Sequence, residues 1–345
     1  MVAANAPDVD ILSFARGEYF ALAFRRGITH GWPALVVLPF VVTAGVLAWD
    51  RWVRRKRDPT APRVHPRTIF ALSVLGLLTH PSLDWLNTYG MRWGLPFDRS
   101  WTYGDALFII DPWIWLTLGG AVFLVSTPSR RGHWGWTVFG LLTTALVVLG
   151  MGGVPSFVWV VGVAAVLVLR IRCGTALPQT RVRAVRGALV LSAAYIAVMI
   201  TADLGARRDV FAASATEGIQ VRDVLVAPRR GNPFLADIEI QTDDAFVPGT
   251  HDWRRVPRVL LRPHDAVPLL SAPGLDGPTV SRVVAAARSS EPIDDYLVWS
   301  RYPYVRVTPE AAGWRVSFRD ARYDDQPEAG GLAGLSVLVL RSDIQ

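Results

Sequence analysis

The residues in this chain that could do chemistry are imidazoles and carboxylates gathered ahead of, or late in, long apolar segments. Pro7-Asp8-Val9-Asp10 comes first, followed by Arg25-Arg26-Gly27-Ile28-Thr29-His30. His80-Pro81-Ser82-Leu83-Asp84 follows, with Asn87, Thr88, Tyr89 and Gly90 just after it. His80 and Asp84 are spaced i and i+4, which puts both on one face of a helix. Asp105 precedes Phe108-Ile-Ile-Asp111-Pro112. Two imidazoles and several carboxylates brought to one place suit a divalent cation, zinc first and manganese or iron as alternatives. Carboxylates such as Asp84 and Asp111 near apolar helix interiors are costly in a bilayer and signal function. The bland alternatives are an Asp-x-Asp helix cap, a His–Asp hydrogen bond and a capping role for Asp111 ahead of Pro112. His65 and His133 fall in arginine-rich loops, and His251 and His264 lack acidic neighbours at ligand spacing, so none of the four is expected to be a ligand.

The elements that must position these groups follow from composition. Hydrophobic residues make up 51% of the 345, and charged residues only 19%, against roughly 25% in soluble domains. Disordered tails and small disulfide scaffolds are excluded. Cys173 is the single cysteine, so neither an internal disulfide nor a cysteine-built zinc site is possible. The net charge of +7 resides in arginines between apolar runs, which argues against a nucleic-acid partner.

Six apolar runs are readable: Trp32–Trp49, Thr68 to about Asn87, Ala106–Val125, Trp134–Gly150, Pro155–Arg170 and Gly187 to about Thr201. Crossing about 30 Å of hydrocarbon takes roughly 20 helical residues. The uncharged Met151-Gly-Gly-Val-Pro155 turn predicts a tight hairpin between the fourth and fifth runs. Arginines concentrate at Arg51–Arg67, Arg130–Arg131 and Arg170–Arg186, three loops that alternation puts on one side. By the positive-inside rule that side is cytoplasmic. His30, His80, Asp84 and Asp111 then converge at the outer ends of the helices.

The apolar runs stop near Asp203. The expected architecture is an α-helical integral membrane bundle of about six spans over residues 1–203, followed by an extracytoplasmic α+β domain over 204–345. Strands are predicted at Val221–Val226, Leu235–Gln241, Tyr304–Thr308, Trp314–Phe318 and Leu335–Leu340, and short helices at Thr279–Arg288 and Ile293–Arg301. Trp299 is expected in the core of this domain, with Arg301 paired to Asp320 or another carboxylate of the same domain.

Taken in order, these motifs resemble the bacterial inner-membrane proteins called the membrane-bound metal-dependent hydrolase family, of YdjM and YbcI type, in a long form with a C-terminal soluble domain. The resemblance rests on Pro7-Asp8-Val9-Asp10, Arg26-Gly-Ile-Thr-His30, His80-Pro-Ser-Leu-Asp84 with Tyr89-Gly90, and Asp105 through Asp111-Pro112. Trp299-Ser-Arg-Tyr-Pro303 and Asp320-Ala-Arg-Tyr323 match the long form. It implies a hydrolase with a metal-site set of Asp8, Asp10, His30, His80 and Asp84, supported by Asp111. His30, His80 and Asp84 would hold the metal, and Asp8 or Asp10 would be a further ligand or the general base. Family members begin with one more apolar helix carrying a Thr-His pair, whereas this chain reads Met1-Val-Ala-Ala-Asn-Ala directly before Pro7; either the start lies upstream or that helix and histidine are lacking. The implied partners are the lipid bilayer and an amphiphilic lipid or envelope-precursor substrate. The rival functions are an ion-coupled transporter using Asp84 and Asp111, and a non-catalytic envelope or stress protein.

Overall fold

The computed structural model describes residues 2–126, 129–173, 178–323 and 331–344. Part of the Arg170–Arg186 arginine loop, residues 174–177, lies outside the described residues. The N-terminal half is helical: α1 (Val2–Asn5), a 3-10 segment (Pro7–Arg16), α2 (Glu18–Phe24), α3 (Trp32–Arg57), α4 (Pro66–Trp85), α5 (Pro112–Val125), α6 (Arg130–Met151), α7 (Gly153–Cys173) and α8 (Pro178–Thr216).

Among the described residues, four helices have the length and apolarity to cross a bilayer: Trp32–Arg57, Arg131–Met151, Gly153–Arg172 and Val182–Thr216. The other two expected spans differ. The 20-residue α4 is long enough but carries His80 and Asp84 in its last turns. The third run does not begin at Ala106. Asp111 caps the helix by accepting from the backbone N–H groups of Trp113 and Ile114, and Pro112 takes its first position. The remaining α5 covers only about 21 Å at 1.5 Å per residue.

The predicted α6–α7 hairpin is present. Gly152 (φ 60°) and Gly153 (φ 52°) take left-handed conformations that side chains disfavour, reversing the chain in two residues. Ser156 Oγ donates to the Val147 carbonyl and Trp159 Nε1 to Thr144 Oγ1 across the pair.

The largest departure concerns α8, which runs 39 residues, through Asp203 to Thr216. Its later turns are polar on one side, where Asp203 pairs with Arg207 at 2.8 Å, and apolar on the other. Ala206 and Val210 are buried against Val224, Ile238 and Ile240. The helix therefore carries the chain past Asp203 to Thr216 before the first strand begins at Asp223.

The C-terminal half has two sheets. β1 (Asp223–Arg229), β2 (Asn232–Gln241), β3 (Ala245–Asp252) and β4 (Val259–Leu261) form an antiparallel meander, with β5 (Val267–Pro268) also paired to β3. β6 (Leu270–Ser271), β7 (Pro303–Pro309), β8 (Gly313–Asp320) and β9 (Gly334–Leu340) form the second, with β6 parallel to β7. α9 (Gly277–Arg288) and α10 (Glu291–Trp299) lie between β6 and β7 in the chain and pack with the second sheet. The five predicted strands are found, and so are both short helices, the second ending at Trp299 instead of Arg301. β3 was not predicted: Pro248 and Gly249 interrupt its pattern.

The core of the second sheet is not made by the C-terminal half alone. Val283, Ile293, Tyr296, Trp299, Val307, Val316 and Phe318 share it with Leu22 of α2 and Tyr89 from the α4–α5 connection. Trp299 is fully buried, as its reading required, with Tyr89 and Tyr323 rings at 5.3 and 6.0 Å.

The pairing expected for Arg301 holds in part. Its guanidinium lies 3.6 Å from Asp223 of the same domain and its backbone N–H donates to Asp320, but the closer carboxylate is Asp105 in the helical half at 2.9 Å, which Arg207 joins at 2.7 Å. Asp320 is held by Arg322, whose Nη1 donates to the Thr88 carbonyl at 2.8 Å. The two strings around Trp299 and Asp320 thus meet, and both reach the helical half.

Candidate metal centre

α1 leans on α4 at Gly76, where an added Cβ would stand 3.2 Å from the Ala4 nitrogen. This approach, one turn before His80, delivers the Pro7–Arg16 segment to the end of α4. The turn between α2 and α3 closes the third side. Arg26 adopts φ 51°, a strained conformation for a residue with a side chain. Gly27 and Gly31 leave no room for a Cβ against the 92–95 segment: one would meet Leu95 Cδ1 at 2.9 Å, the other the Trp93 carbonyl at 2.8 Å.

His30, fully buried, sits at the end of this turn. Its Nδ1 lies 3.2 Å from Asp10 Oδ2 and 3.0 Å from Thr29 Oγ1. Its Nε2 faces Asp84 Oδ2 at 3.4 Å and Asp8 Oδ1 at 3.8 Å. His80 Nε2 faces the same two carboxylates, 3.5 Å from each. The imidazole rings are 5.4 Å apart, and one donor atom each of Asp8, His30 and His80 lies within 4.8 Å of the others. Both Nε2 atoms are buried and make no hydrogen bond.

Those separations bear on occupancy. Ligands bonded at about 2.1 Å to a tetrahedral ion stand about 3.4 Å from one another. The His–Asp separations of 3.4–3.8 Å match that spacing better than the 2.7–3.2 Å of made hydrogen bonds. The donor set of two imidazole nitrogens and two carboxylates fits zinc, manganese or iron. The Asp8 side chain is 38% exposed and marks the open side.

The supporting residues are specific. Arg26 donates to Asp84 Oδ1 at 2.8 Å and to Asn87 Oδ1 at 2.8 Å, turning Asp84 Oδ2 toward the imidazoles. Its backbone N–H donates to Asp10 Oδ2 at 3.0 Å, and its guanidinium lies 4.6 Å from the Tyr89 ring centre. The His80 imidazole, 3.5 Å away, holds Asp8 below the ordinary carboxylate range. Burial pushes Asp10 up, but the His30 and Arg26 contacts outweigh it and leave it lowered. Burial pushes His30 down, and the carboxylates of Asp10 and Asp84 outweigh that and raise it.

The structure therefore brings together Asp8, Asp10, His30, His80 and Asp84, with Asp10 behind His30 and not across from it. Asp111 is not brought in; besides its capping bonds it accepts from Tyr195 of α8 at 2.8 Å. Arg26, Thr29 and Asn87 carry supporting roles that spacing does not reveal, although Arg26 and Thr29 lie in the Arg26–His30 motif and Asn87 stands just after Asp84. The remaining histidines stay apart from the cluster. His65 and His133 are exposed, and His264 is exposed beside Asp265. His251 has an acidic partner the sequence hid, Asp209 of α8, at 3.0 Å.

Fold and site define a helical membrane protein with a His/Asp cluster at the end of its bundle nearest the C-terminal domain. Residues 1–155 match the family described as YdjM inner membrane protein, which bears out the YdjM-type resemblance over that stretch; the C-terminal domain lies outside the match. No curated protein and no solved structure matches the chain.

Proposed function

We propose that the protein is a metal-dependent hydrolase of the bacterial inner membrane, with its site and C-terminal domain on the outer face. The observation that carries this reading is the pair of buried, unpartnered Nε2 atoms of His30 and His80 facing two carboxylates. In this reading His30, His80 and Asp84 hold the ion. Asp10 fixes the His30 ring through Nδ1 so that Nε2 points at the cluster, the arrangement carboxylates give metal-bound histidines. Arg26 fixes Asp84. Asp8, the most exposed of the carboxylates, is placed to complete the ligand set or to take a proton from water. A bound divalent ion supplies a Lewis acid for an ester, amide or phosphoester oxygen and lowers the pKa of water. The outward orientation is supported by the arginine-rich loop Arg51–Arg67, which α3 and α4 put at the end opposite His30 and His80.

The test is metal analysis of detergent-purified full-length protein beside His80→Ala, Asp84→Ala and His133→Ala. Stoichiometric metal in the wild type and His133→Ala, with most of it lost from the other two, is the expected result. Equal metal content in all four proteins would sink the site as drawn.

A further inference from the structure

On the other side of the Arg26–His30 turn from the cluster lies a cleft of about 540 Å³. Phe24, Ile28, Leu95, Pro96 and Val298 form its apolar walls, and Arg92 and Arg99 are its charged groups. Arg92 is the unusual member. It is 7% exposed and makes no ion pair among the described residues. Its side chain donates to the Ala23 carbonyl and lies 4.6 Å from the Trp101 ring centre, while its Nε is buried without a hydrogen-bond partner. The titratable groups that act on it are Tyr89, Tyr103 and Arg99, two phenols and a second cation. The nearby Asp98 is committed to Ser100, through both its backbone N–H and its hydroxyl. A buried guanidinium facing another cation with no carboxylate in reach is expensive unless an anion completes it.

The surroundings say what kind of anion. Trp32, which heads α3 and is 60% exposed, packs against Trp93 with the rings tilted and 5.4 Å apart, and its backbone N–H donates to the Trp93 carbonyl. Tryptophan at the head of a spanning helix marks the bilayer interface. The loop that carries Leu95 and Pro96 also presents Phe97, which is 91% exposed. An apolar, exposed loop tip beside an interfacial tryptophan belongs in lipid and not in water.

We propose that this cleft binds the phosphate of an anionic membrane lipid. Arg92 and Arg99 take the phosphate oxygens, Arg92 using the Nε–H that no protein group satisfies. Phe24, Ile28 and Leu95 receive the adjoining acyl and glycerol carbons, and Phe97 enters the bilayer beside them. The proposal does not depend on hydrolysis or on a metal at the neighbouring cluster.

The test uses full-length, delipidated protein in uncharged detergent, titrated with short-chain phosphatidylglycerol, phosphatidylcholine of the same chain length, or inorganic phosphate, and read by native mass spectrometry. Phosphatidylglycerol should bind at least about tenfold more tightly than phosphatidylcholine, and Arg99→Gln should remove about tenfold, the worth of one charge-assisted hydrogen bond. Leu95→Trp, which fills the cleft without changing charge, should weaken phosphatidylglycerol similarly. Arg99 is exposed, so its variant should melt like the wild type, and that melt is the folding control. Equal binding of the two lipids, or an unchanged phosphatidylglycerol affinity in well-folded Arg99→Gln, would overturn the proposal. Inorganic phosphate binding as tightly as phosphatidylglycerol would overturn its lipid part.

Discussion

Asp10→Asn separates a residue that orients a ligand from one that is a ligand. Asp10 is 2% exposed, and its Oδ2 gathers the Arg26 N–H, the Thr29 hydroxyl and His30 Nδ1 within 3.0–3.2 Å. Asparagine has the same shape and can still accept from Arg26 and Thr29 through its amide oxygen, so the turn should survive. What it loses is the negative charge behind the imidazole. Loss of such an orienting partner costs 10–100-fold in metal affinity, about 1.4–2.8 kcal/mol. His80→Ala removes a donor atom outright and should cost more than that range. The assay is a competition titration of metal-free, detergent-solubilised protein with zinc against a chromophoric chelator at neutral pH. Asp10→Asn falling between wild type and His80→Ala fits the geometry. A loss as large as that of His80→Ala would make Asp10 a direct ligand, and wild-type affinity would mean that it orients nothing; either result refutes the reasoning.

Three further outcomes are expected. A reporter after Arg57 should be cytoplasmic and one at the C-terminus external; a cytoplasmic C-terminal reporter would reverse the orientation. Asp105→Ala and Arg301→Ala should each destabilise the full chain, and the double variant should lose clearly less than the sum of the two, with a coupling of about 0.5–3 kcal/mol in thermal or denaturant unfolding; strict additivity would dissolve the contact. Burial pushes Asp320 up, but Arg322 outweighs it and holds Asp320 below its unfolded value, so its stabilisation is full above about pH 4 and disappears as pH falls through the lower folded value. Asp320→Asn should therefore cost about 3–5 kcal/mol at neutral pH by stranding Arg322, and should flatten the acid limb of a melting-temperature profile; an unaltered acid limb would remove Asp320 from the account.

What the sequence disclosed, and what it hid, follows from range. His80 and Asp84 were readable because their spacing is local and helical. His30 joined them because arginine counting put two helix ends on one side. Asp111 passed the same test of charge near an apolar run, but the proline after it made it a cap, and which use an aspartate serves depends on the first helical turn. Arg26 was hidden among loop arginines, since its importance lies in a positive φ and a reach to Asp84 that spacing does not encode. The extension of α8 past Asp203 escaped a hydropathy reading because that part of the helix turns only one face to a core. Leu22 and Tyr89 were beyond reach for another reason: nothing near them in sequence shows that their burial depends on residues two hundred positions later.

The uninterrupted α8 sets a distance. Its 39 residues extend about 58 Å at 1.5 Å per residue, against about 30 Å of hydrocarbon. The surplus is a rigid post whose length fixes how high the first sheet rides above the bilayer and whose rotation fixes which way that sheet faces. Arg207 is where the post is keyed to both sides, donating to Asp105 below and to the Val224 carbonyl above. One residue inserted between Ile200 and Asp203 would turn everything beyond it by about 100°. Arg207 would then swing away from Asp105, and the sheet packed on Ala206 and Val210 would turn with it. Changes in length along this stretch are therefore tolerable only in steps that restore the phase of the helix, three or four residues at a time, each lifting the sheet by about one turn.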